Sequence, residues 1–220
     1  MSMLAGCAAQ PPQHGAADTL RYLALGDSYS IGEGVAPEAR WPVQLAHALR
    51  AGGIALGDPR IIASTGWTTD ELDAAIDVAP PSGDHDFVSL LIGVNNQYRG
   101  HDVDDYRTGF AALLERAIGF AGGRRERVLV LSIPDWGVTR FGRESGRDPA
   151  TIARELDAYN VAARDICAAR DVAFVDITQF SRERGAEAAM LADDGLHPSA
   201  AMYTLWAQAA LPVARRLLAR

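Results

Sequence analysis

Short apolar runs alternate with amphipathic helical patterns along nearly the whole of this 220-residue chain. Five runs have the length and composition of buried strands, and they occupy residues 22–25, 60–63, 87–92, 128–133 and 172–175. Strands that are each followed by a helix return in the same direction, so the order predicts a parallel sheet with right-handed crossovers. We therefore expect an α/β protein with three layers, in which helices cover both faces of a five-stranded parallel sheet.

The helical patterns carry recognisable start and stop signals. Residues 41–50 have Pro42 near the start and a glycine pair behind them. Thr69 or Asp70 is expected to cap a helix over residues 71–78. The last helix, striped by apolar residues from Met202 onward, contains Pro212, which is expected to kink or interrupt it.

Composition limits the classes of protein that fit this chain. An apolar fraction of 48% and a charged fraction of 22% are ordinary for one globular domain, which we assign to residues 21–220. The formal net charge of -7 argues against a nucleic-acid partner, because phosphates would be repelled. No apolar run is long enough to span a bilayer.

The first 20 residues have a different character and are expected to form a flexible segment. Within them, Leu4-Ala5-Gly6-Cys7 resembles the lipobox of bacterial lipoproteins, where a lipid is attached to the cysteine. The charged and apolar regions that normally precede a lipobox are missing before it, so either the start of the sequence is truncated or the match is due to chance. The lipobox interpretation predicts a membrane tether through Cys7 in the cell envelope or periplasm, and the alternative predicts a cytoplasmic protein.

Polar residues and glycines follow several of the predicted strands. In a parallel sheet the loops at the carboxyl ends of the strands gather at one edge, where ligands bind. Ser28 follows the first strand on a sharp turn, and Gly26 gives the backbone room to bend there. The other segments expected at this edge are Gly66, Gly93-Val94-Asn95-Asn96 and Asp194-Gly195-Leu196-His197-Pro198.

The spacing of Asp194 and His197 has a chemical use. Three residues apart on a turn, the carboxylate can accept from one imidazole nitrogen and leave the other free to take a proton from a serine. Asp193 is a competing carboxylate, but neighbouring side chains point apart, so Asp194 is favoured. A polar loop at a helix entry with a capping aspartate is the simpler alternative for this segment.

Taken together, these blocks resemble the SGNH hydrolases, also called GDSL lipases or esterases. The resemblance rests on four ordered blocks that cover nearly all of residues 22–200: Gly26-Asp27-Ser28, Gly66, Gly93-x-Asn95 and Asp194-x-x-His197. It implies a flavodoxin-like α/β/α fold and serine-dependent hydrolysis of esters or thioesters. It also implies that no cofactor or metal ion is required.

The resemblance also assigns roles to single residues. Ser28 would be the nucleophile, His197 the general base and Asp194 its orienting partner. The backbone N–H groups of Ser28 and Gly66 and the side-chain amide of Asn95 would form the oxyanion hole. Two positions depart from the family pattern: Tyr29 replaces a leucine, which is expected to be harmless, and Asn96 replaces an aspartate that would help to hold its loop.

Three other functions compete with this hypothesis. Metal-dependent hydrolysis lacks support, because His14, His47, His85 and His101 show no ligand spacing, and His85 and His101 are expected to be solvated. A flavin or dinucleotide protein is disfavoured, since Gly32-Glu33-Gly34 lacks the third glycine of a phosphate-binding turn. A degenerate, envelope-bound module that only binds acylated glycans is the non-enzymatic alternative.

Substrate choice rests on aromatic residues near the predicted loops. Trp67, Tyr98 and Trp136 are the candidate pocket residues, and the segment 134–149 is expected to be an irregular rim or lid. An aromatic wall suits a short acyl chain or a sugar ring, so we expect a small-molecule ester with a short acyl or O-acetyl group. A lysophospholipase or acyl thioesterase is the alternative.

Overall fold

The computed structural model of the chain describes residues 19–219. Within that range five strands form one sheet, and their bounds are β1 Tyr22–Asp27, β2 Arg60–Ser64, β3 Phe87–Leu91, β4 Val128–Leu131 and β5 Ala173–Val175. All of the pairings between these strands are parallel, and the strand order across the sheet is β2-β1-β3-β4-β5. The predicted five-stranded parallel sheet is confirmed.

The central strands are the most buried part of the sheet. Every residue of β1, β3 and β4 is buried, as expected for strands covered on both faces, whereas the edge strand β2 is only partly covered. Leu25 of β1 lies opposite Ile62 of β2 on one side and Leu90 of β3 on the other. This register brings the ends of β1, β2 and β3 to the same edge of the sheet.

Helices follow the strands and cover both faces. Their bounds within residues 19–219 are α1 Ser28–Ile31, α2 Trp41–Ala51, α3 Thr69–Val78, α4 Val94–Tyr98, α5 Val103–Phe120, α6 Arg140–Glu144, α7 Pro149–Ala168, α8 Thr178–Arg184 and α9 Ala200–Leu218. Helices α2 and α9 pack together in one layer, while α5 packs against α3 and α7 in another. The three-layer α/β/α architecture is therefore confirmed.

Several local predictions need correction. Gly26 and Asp27 do not end the first strand but continue it, because both pair with residues of the neighbouring strand β2. Helix α3 begins at Thr69 with Thr68 as its cap, and the Thr68 N–H donates to Glu71 Oε2 at 2.9 Å. The predicted interruption at Pro212 is wrong, since α9 continues through it.

Buried packing explains why Pro212 is tolerated. A proline inside a helix removes one backbone hydrogen bond, but Ala210 and Ala214 on either side of it are fully buried and hold the helix against the core. His85 is a further correction, because it is 2% exposed rather than solvated.

The predictions for the amino terminus concern residues that the structure does not describe. Cys7 and the lipobox lie outside the described residues 19–219, so the membrane tether stays a prediction. Among the described residues, none of the helices combines the length and apolar character needed to cross a membrane. The same part of the chain holds no group of three or more His, Cys, Asp or Glu side chains arranged to bind a metal ion.

Candidate active site

Ser28 lies where the central strand β1 turns directly into the short helix α1. Asp27 caps this helix, and its Oδ1 accepts from the Tyr29 N–H at 3.0 Å. The Ser28 carbonyl accepts from Gly32 and, at 3.0 Å, from Glu33. As the first residue of the helix, Ser28 has a backbone N–H with no acceptor inside the helix, so that group is available to a ligand.

The sharpness of this turn explains the glycine before it. A Cβ atom at Gly26 would collide with Ser30 Oγ and with the carbonyl oxygen of Leu91 on β3. Only glycine therefore lets α1 fold back so closely over the end of the sheet.

His197 approaches the same edge from the turn before α9. Its Nδ1 lies 2.6 Å from Asp194 Oδ2, while Asp194 Oδ1 accepts from the N–H groups of Leu196 at 2.8 Å and His197 at 2.9 Å. Burial opposes ionisation of Asp194, but these donors outweigh it and lower the pKa of its carboxyl below the usual value. A charged Asp194 holds the proton on Nδ1, which leaves Nε2 as a proton acceptor.

Asn95 is linked to the turn at Gly66 through Trp67, the residue that follows this glycine. Asn95 Nδ2 donates to the backbone carbonyl of Trp67 at 2.9 Å, which fixes the orientation of the amide and leaves its second N–H free of that bond. Gly66 has a φ of 85°, a conformation that favours glycine, and its carbonyl accepts from Arg99 at 2.6 Å. Both residues are therefore held in fixed positions.

These residues line one cavity of about 190 Å³, which we call the site cavity. Its lining contains the predicted Ser28, Gly66, Asn95 and His197, so the structure brings these four together. The remaining lining residues are Tyr29, Thr65, Val94, Tyr98, Trp136, Phe141 and Leu196. A carbonyl group placed in this space could meet a hydroxyl, an imidazole and several N–H donors at once.

Two of the three aromatic residues predicted to line the substrate pocket do line the site cavity. Tyr98 and Trp136 line the site cavity, but Trp67 is not among its lining residues. Trp67 instead packs its half-buried side chain against the core and orients Asn95 through its backbone carbonyl. The contact of Trp67 with the predicted site residues is therefore made by its backbone carbonyl.

Three rings form a wall on one side of the site cavity, the aromatic wall of Tyr98, Trp136 and Phe141. Their centroids are 5.3 to 6.3 Å apart. Trp136 is buried, and its Nε1 donates to Gln97 Oε1 at 2.8 Å. The segment 134–149 is thus a rim of the cavity, as expected, although it is more regular than predicted, with short helices at Trp136–Val138 and Arg140–Glu144.

Asn96 occupies the position at which the chain departs from the family pattern. It is buried, its Oδ1 accepts from the Thr69 N–H at 3.1 Å, and its Nδ2 donates to Thr69 Oγ1 at 2.9 Å. The neutral amide therefore joins α4 to the start of α3.

Asp27 has a very different environment from Asp194. It is completely buried, and its Oδ2 has no hydrogen-bond partner within residues 19–219. Burial raises the pKa of Asp27 to about 7, opposed by the hydrogen bond from the Tyr29 N–H. Burial therefore favours the protonated, neutral form of this carboxyl at pH values where an exposed aspartate is ionised.

Some lining residues were not foreseen from the sequence. Tyr29 and Leu196 adjoin Ser28 and His197, so adjacency was an available signal for both. Gln97 supports the aromatic wall through its bond to Trp136, and nothing in the sequence indicates that contact.

A second cavity shows that size alone does not identify the site. It measures about 320 Å³ and lies between α7 and α8, away from Ser28 and His197. Its two arginines are already paired, Arg164 with Asp176 at 2.7 Å and Arg182 with Asp157 at 2.9 Å. No nucleophile with a neighbouring base is among its lining residues.

The sequence matches the model of a known protein family. The model of the GDSL-like lipase/acylhydrolase family matches residues 24–205, which is most of the chain. No protein with a curated description matches the sequence.

Solved structures share the fold at low sequence identity. The structure of TesA has a TM-score of 0.69 and 20% identity, covering 90% of this chain and 99% of that one. The esterase EstA from Pseudoalteromonas sp., inhibited by monoethylphosphonate, has a TM-score of 0.65 and 18% identity, covering 91% and 99%. Axe2, an acetylxylan esterase from Geobacillus stearothermophilus, has a TM-score of 0.66 and 20% identity, covering 89% and 94%.

Proposed function

Because this chain belongs to the GDSL-like lipase/acylhydrolase family, we propose that it hydrolyses carboxylic esters through an acyl-serine intermediate. The observation that carries the proposal is the shared lining of the site cavity. Ser28 and His197 meet there with the amide donors of Gly66 and Asn95. Asp194, bound to His197 Nδ1 at 2.6 Å, completes the proposed set of catalytic residues.

The reaction proceeds in two halves. Ser28 Oγ attacks the ester carbonyl carbon while His197 Nε2 takes the hydroxyl proton. The tetrahedral intermediate collapses, the bond to the alcohol breaks, and His197 returns the proton to the departing oxygen. Water then attacks the acyl-serine with His197 again as base, which releases the carboxylic acid and restores Ser28.

Asp194 and the amide donors stabilise charge during these steps. The carboxylate faces the imidazolium that forms when His197 takes a proton. The oxyanion is stabilised by the N–H groups of Ser28 and Gly66 and by Asn95 Nδ2. Loss of one such donor typically costs 100- to 1,000-fold in turnover, because fixed donors act most strongly where water is excluded.

We assign the substrate to esters with a short acyl or O-acetyl group. A space of about 190 Å³ beside an aromatic wall suits a small acyl group with a flat or ring-shaped alcohol. The structural likeness to an acetylxylan esterase motivates acetylated sugars as a test substrate. A lysophospholipase or thioesterase would instead prefer long acyl chains or thioesters.

The first experiment measures hydrolysis of p-nitrophenyl acetate. Ser28→Ala and His197→Ala should each reduce kcat to near the background rate, while circular dichroism retains the wild-type spectrum. Ser30→Ala is a matched control, since Ser30 lies on the same helix and its hydroxyl contacts the Leu25 carbonyl outside the site cavity. Full activity in the Ser28 variant would end the proposal.

A second experiment separates an enzyme from a glycan-binding module. A phosphonate ester bearing a p-nitrophenyl leaving group should add one phosphonyl group, and mass spectrometry should locate it on Ser28. A module that only binds glycans would remain unlabelled and would hydrolyse neither aryl acetates nor acetylated xylo-oligosaccharides.

A third experiment concerns the oxyanion. Asn95→Ala should lower kcat by about 100- to 1,000-fold and change KM little, because the amide acts mainly in the transition state. An unchanged kcat would remove Asn95 from the oxyanion hole.

A further inference from the structure

A small cavity lies directly behind the site cavity, and we call it the inner cavity. It measures about 20 Å³. Its lining is Tyr29, Pro134, Asp135, Trp136, Thr139, Ser181, Gly185, Met190, Leu191, Leu196, Pro198, Met202 and Trp206. It therefore reaches from the aromatic wall into the core beneath the turn that carries His197.

Three side chains separate the two spaces. Tyr29, Trp136 and Leu196 line both the site cavity and the inner cavity, so they form a partition one side chain thick. A ligand in the site cavity that extended past this partition would enter the inner cavity without crossing any other residue.

The three members of the partition are not held equally. Tyr29 has edge contacts with the rings of His197 and Trp206, both at 5.8 Å between centroids. Trp136 is anchored by its hydrogen bond to Gln97. Leu196 has no comparable polar or aromatic anchor on its side chain, which is only partly buried and aliphatic. Leu196 is therefore the member that can move or be shortened with the least disturbance.

The inner cavity suits hydrocarbon. Two of the polar side chains around it are bonded elsewhere: Asp135 accepts from Gly137 and Arg182, and the Thr139 hydroxyl donates to the Trp136 carbonyl. The indole Nε1–H of Trp206 is buried and has no hydrogen-bond partner within residues 19–219. Apolar side chains, among them Met190 and Met202, supply much of the remaining surface. Methionine is adaptable, so the cavity can widen around a chain end.

We propose that Leu196 sets the length of the acyl group by closing a blind acyl pocket whose continuation is the inner cavity. This inference rests on the proposed ester hydrolysis and specifies its substrate. The acyl group, rather than the alcohol, belongs in the blind end, because the alcohol must leave past the acyl-serine before water can enter. A closed space would trap a leaving group but can hold an acyl chain throughout the reaction.

The test is the acyl-length profile of kcat/KM for p-nitrophenyl acetate, butyrate, hexanoate and octanoate. Wild type should fall off beyond short chains. Leu196→Ala removes three carbon atoms from the partition and should raise kcat/KM for hexanoate, relative to the same variant's acetate value, by about fourfold per additional methylene accommodated. Leu205→Ala is the matched control, because Leu205 is a half-buried leucine of α9 outside both cavities.

A refilling variant makes the test specific to the inner cavity. Adding Met190→Trp to Leu196→Ala fills the space behind the partition and should return the profile to that of wild type. Leu196→Val, which removes a single carbon, should shift the profile in the same direction by less, and it keeps the test available if the alanine variant does not fold.

Two results would overturn the inference. One is a folded Leu196→Ala or Leu196→Val protein with the wild-type acyl profile. The other is a shift seen only when the alcohol of alkyl acetates is lengthened, which would assign the blind end to the leaving group. Failure of the proposed function looks different, because aryl acetate hydrolysis would then persist in Ser28→Ala.

Discussion

Asp27 and Asp194 are two aspartates beside the same site with opposite surroundings. Asp27 is fully buried, and its Oδ2 has no partner within residues 19–219. The side chain of Asp194 is 42% exposed, and its two oxygens accept from three N–H donors. Burial raises the pKa of Asp27 to about 7. Burial also opposes ionisation of Asp194, but the three donors to Asp194 outweigh it and lower the pKa of its carboxyl.

The comparison shows that placement, not residue type, decides which carboxylate is charged. Asp27 fixes the turn at Ser28 by accepting from the Tyr29 N–H, and a neutral carboxyl can do this. In the proposed reaction, Asp194 faces an imidazole that gains a proton, so a negative charge on Asp194 would stabilise it. Four substitutions test this difference between the two aspartates.

Asp194→Asn should have the largest effect. The amide can still accept from the backbone N–H groups, but it carries no charge and can present an N–H to His197 Nδ1, which favours the wrong tautomer. We expect kcat for p-nitrophenyl acetate to fall by about 1,000- to 10,000-fold, as measured by steady-state kinetics. A decrease of less than tenfold would mean that the charge of Asp194 contributes little.

Asp27→Asn should act on stability and remove a contribution of Asp27 whose dependence on pH is opposite to that of an ordinary carboxylate. The folded protein holds the Asp27 proton up to about pH 7, while the unfolded chain loses it near pH 4, so this group's contribution to stability falls as pH rises between these values. Asparagine keeps the acceptor for Tyr29 without the buried charge. Relative to wild type, the variant's free energy of unfolding should rise by about 2 kcal/mol from pH 5 to pH 7.

Urea unfolding of both proteins at several pH values measures this difference. Asp194 supplies the opposite sign, because a lowered pKa gives stability that is present above the unfolded pKa and is lost as pH falls through the folded value. Parallel pH profiles for wild type and Asp27→Asn would show that burial does not perturb Asp27.

Asn96→Ala extends the comparison to a buried side chain without charge. It removes both bonds to Thr69 and leaves a buried N–H unpaired, so the free energy of unfolding should drop by about 1 to 3 kcal/mol at any pH from 5 to 8. Urea unfolding tests this, and a strong dependence on pH would point to another cause. Asn95→Ala is the neighbouring control, since it should mainly lower turnover.

Asp193→Asn should have the smallest effect. Asp193 is exposed, and its contact with Arg140 uses the backbone carbonyl, which the substitution keeps. We expect kcat/KM for p-nitrophenyl acetate to stay within twofold of wild type. A larger loss would transfer part of the proposed role of Asp194 to its neighbour.

The sequence predicted the sheet well because buried parallel strands are nearly continuous apolar runs, as in β1 and β3. It also predicted which loops meet, since the carboxyl ends of such strands share an edge. It was less successful where a side chain and its backbone point in different directions. Trp67 is the example, because its position beside Gly66 gave no sign that only its carbonyl would orient Asn95.

Contacts between distant segments were also beyond the sequence. The hydrogen bonds of Asn96 with Thr69 and of Trp136 with Gln97 depend on how distant segments pack together. The amino-acid composition of those segments does not predict such packing. Pro212 illustrates the same limit in a helix, where packing of α9 on the core outweighs a local signal.

The packing of α9 against α2 has a consequence for the timing of biosynthesis. The ribosome makes Ser28 before it makes His197 and α9. A nascent chain that still lacks α9 would expose the apolar face of α2, and the turn that carries His197 would lack the helix that anchors it. The proposed hydrolysis should therefore be detected during translation only after α9 has been made.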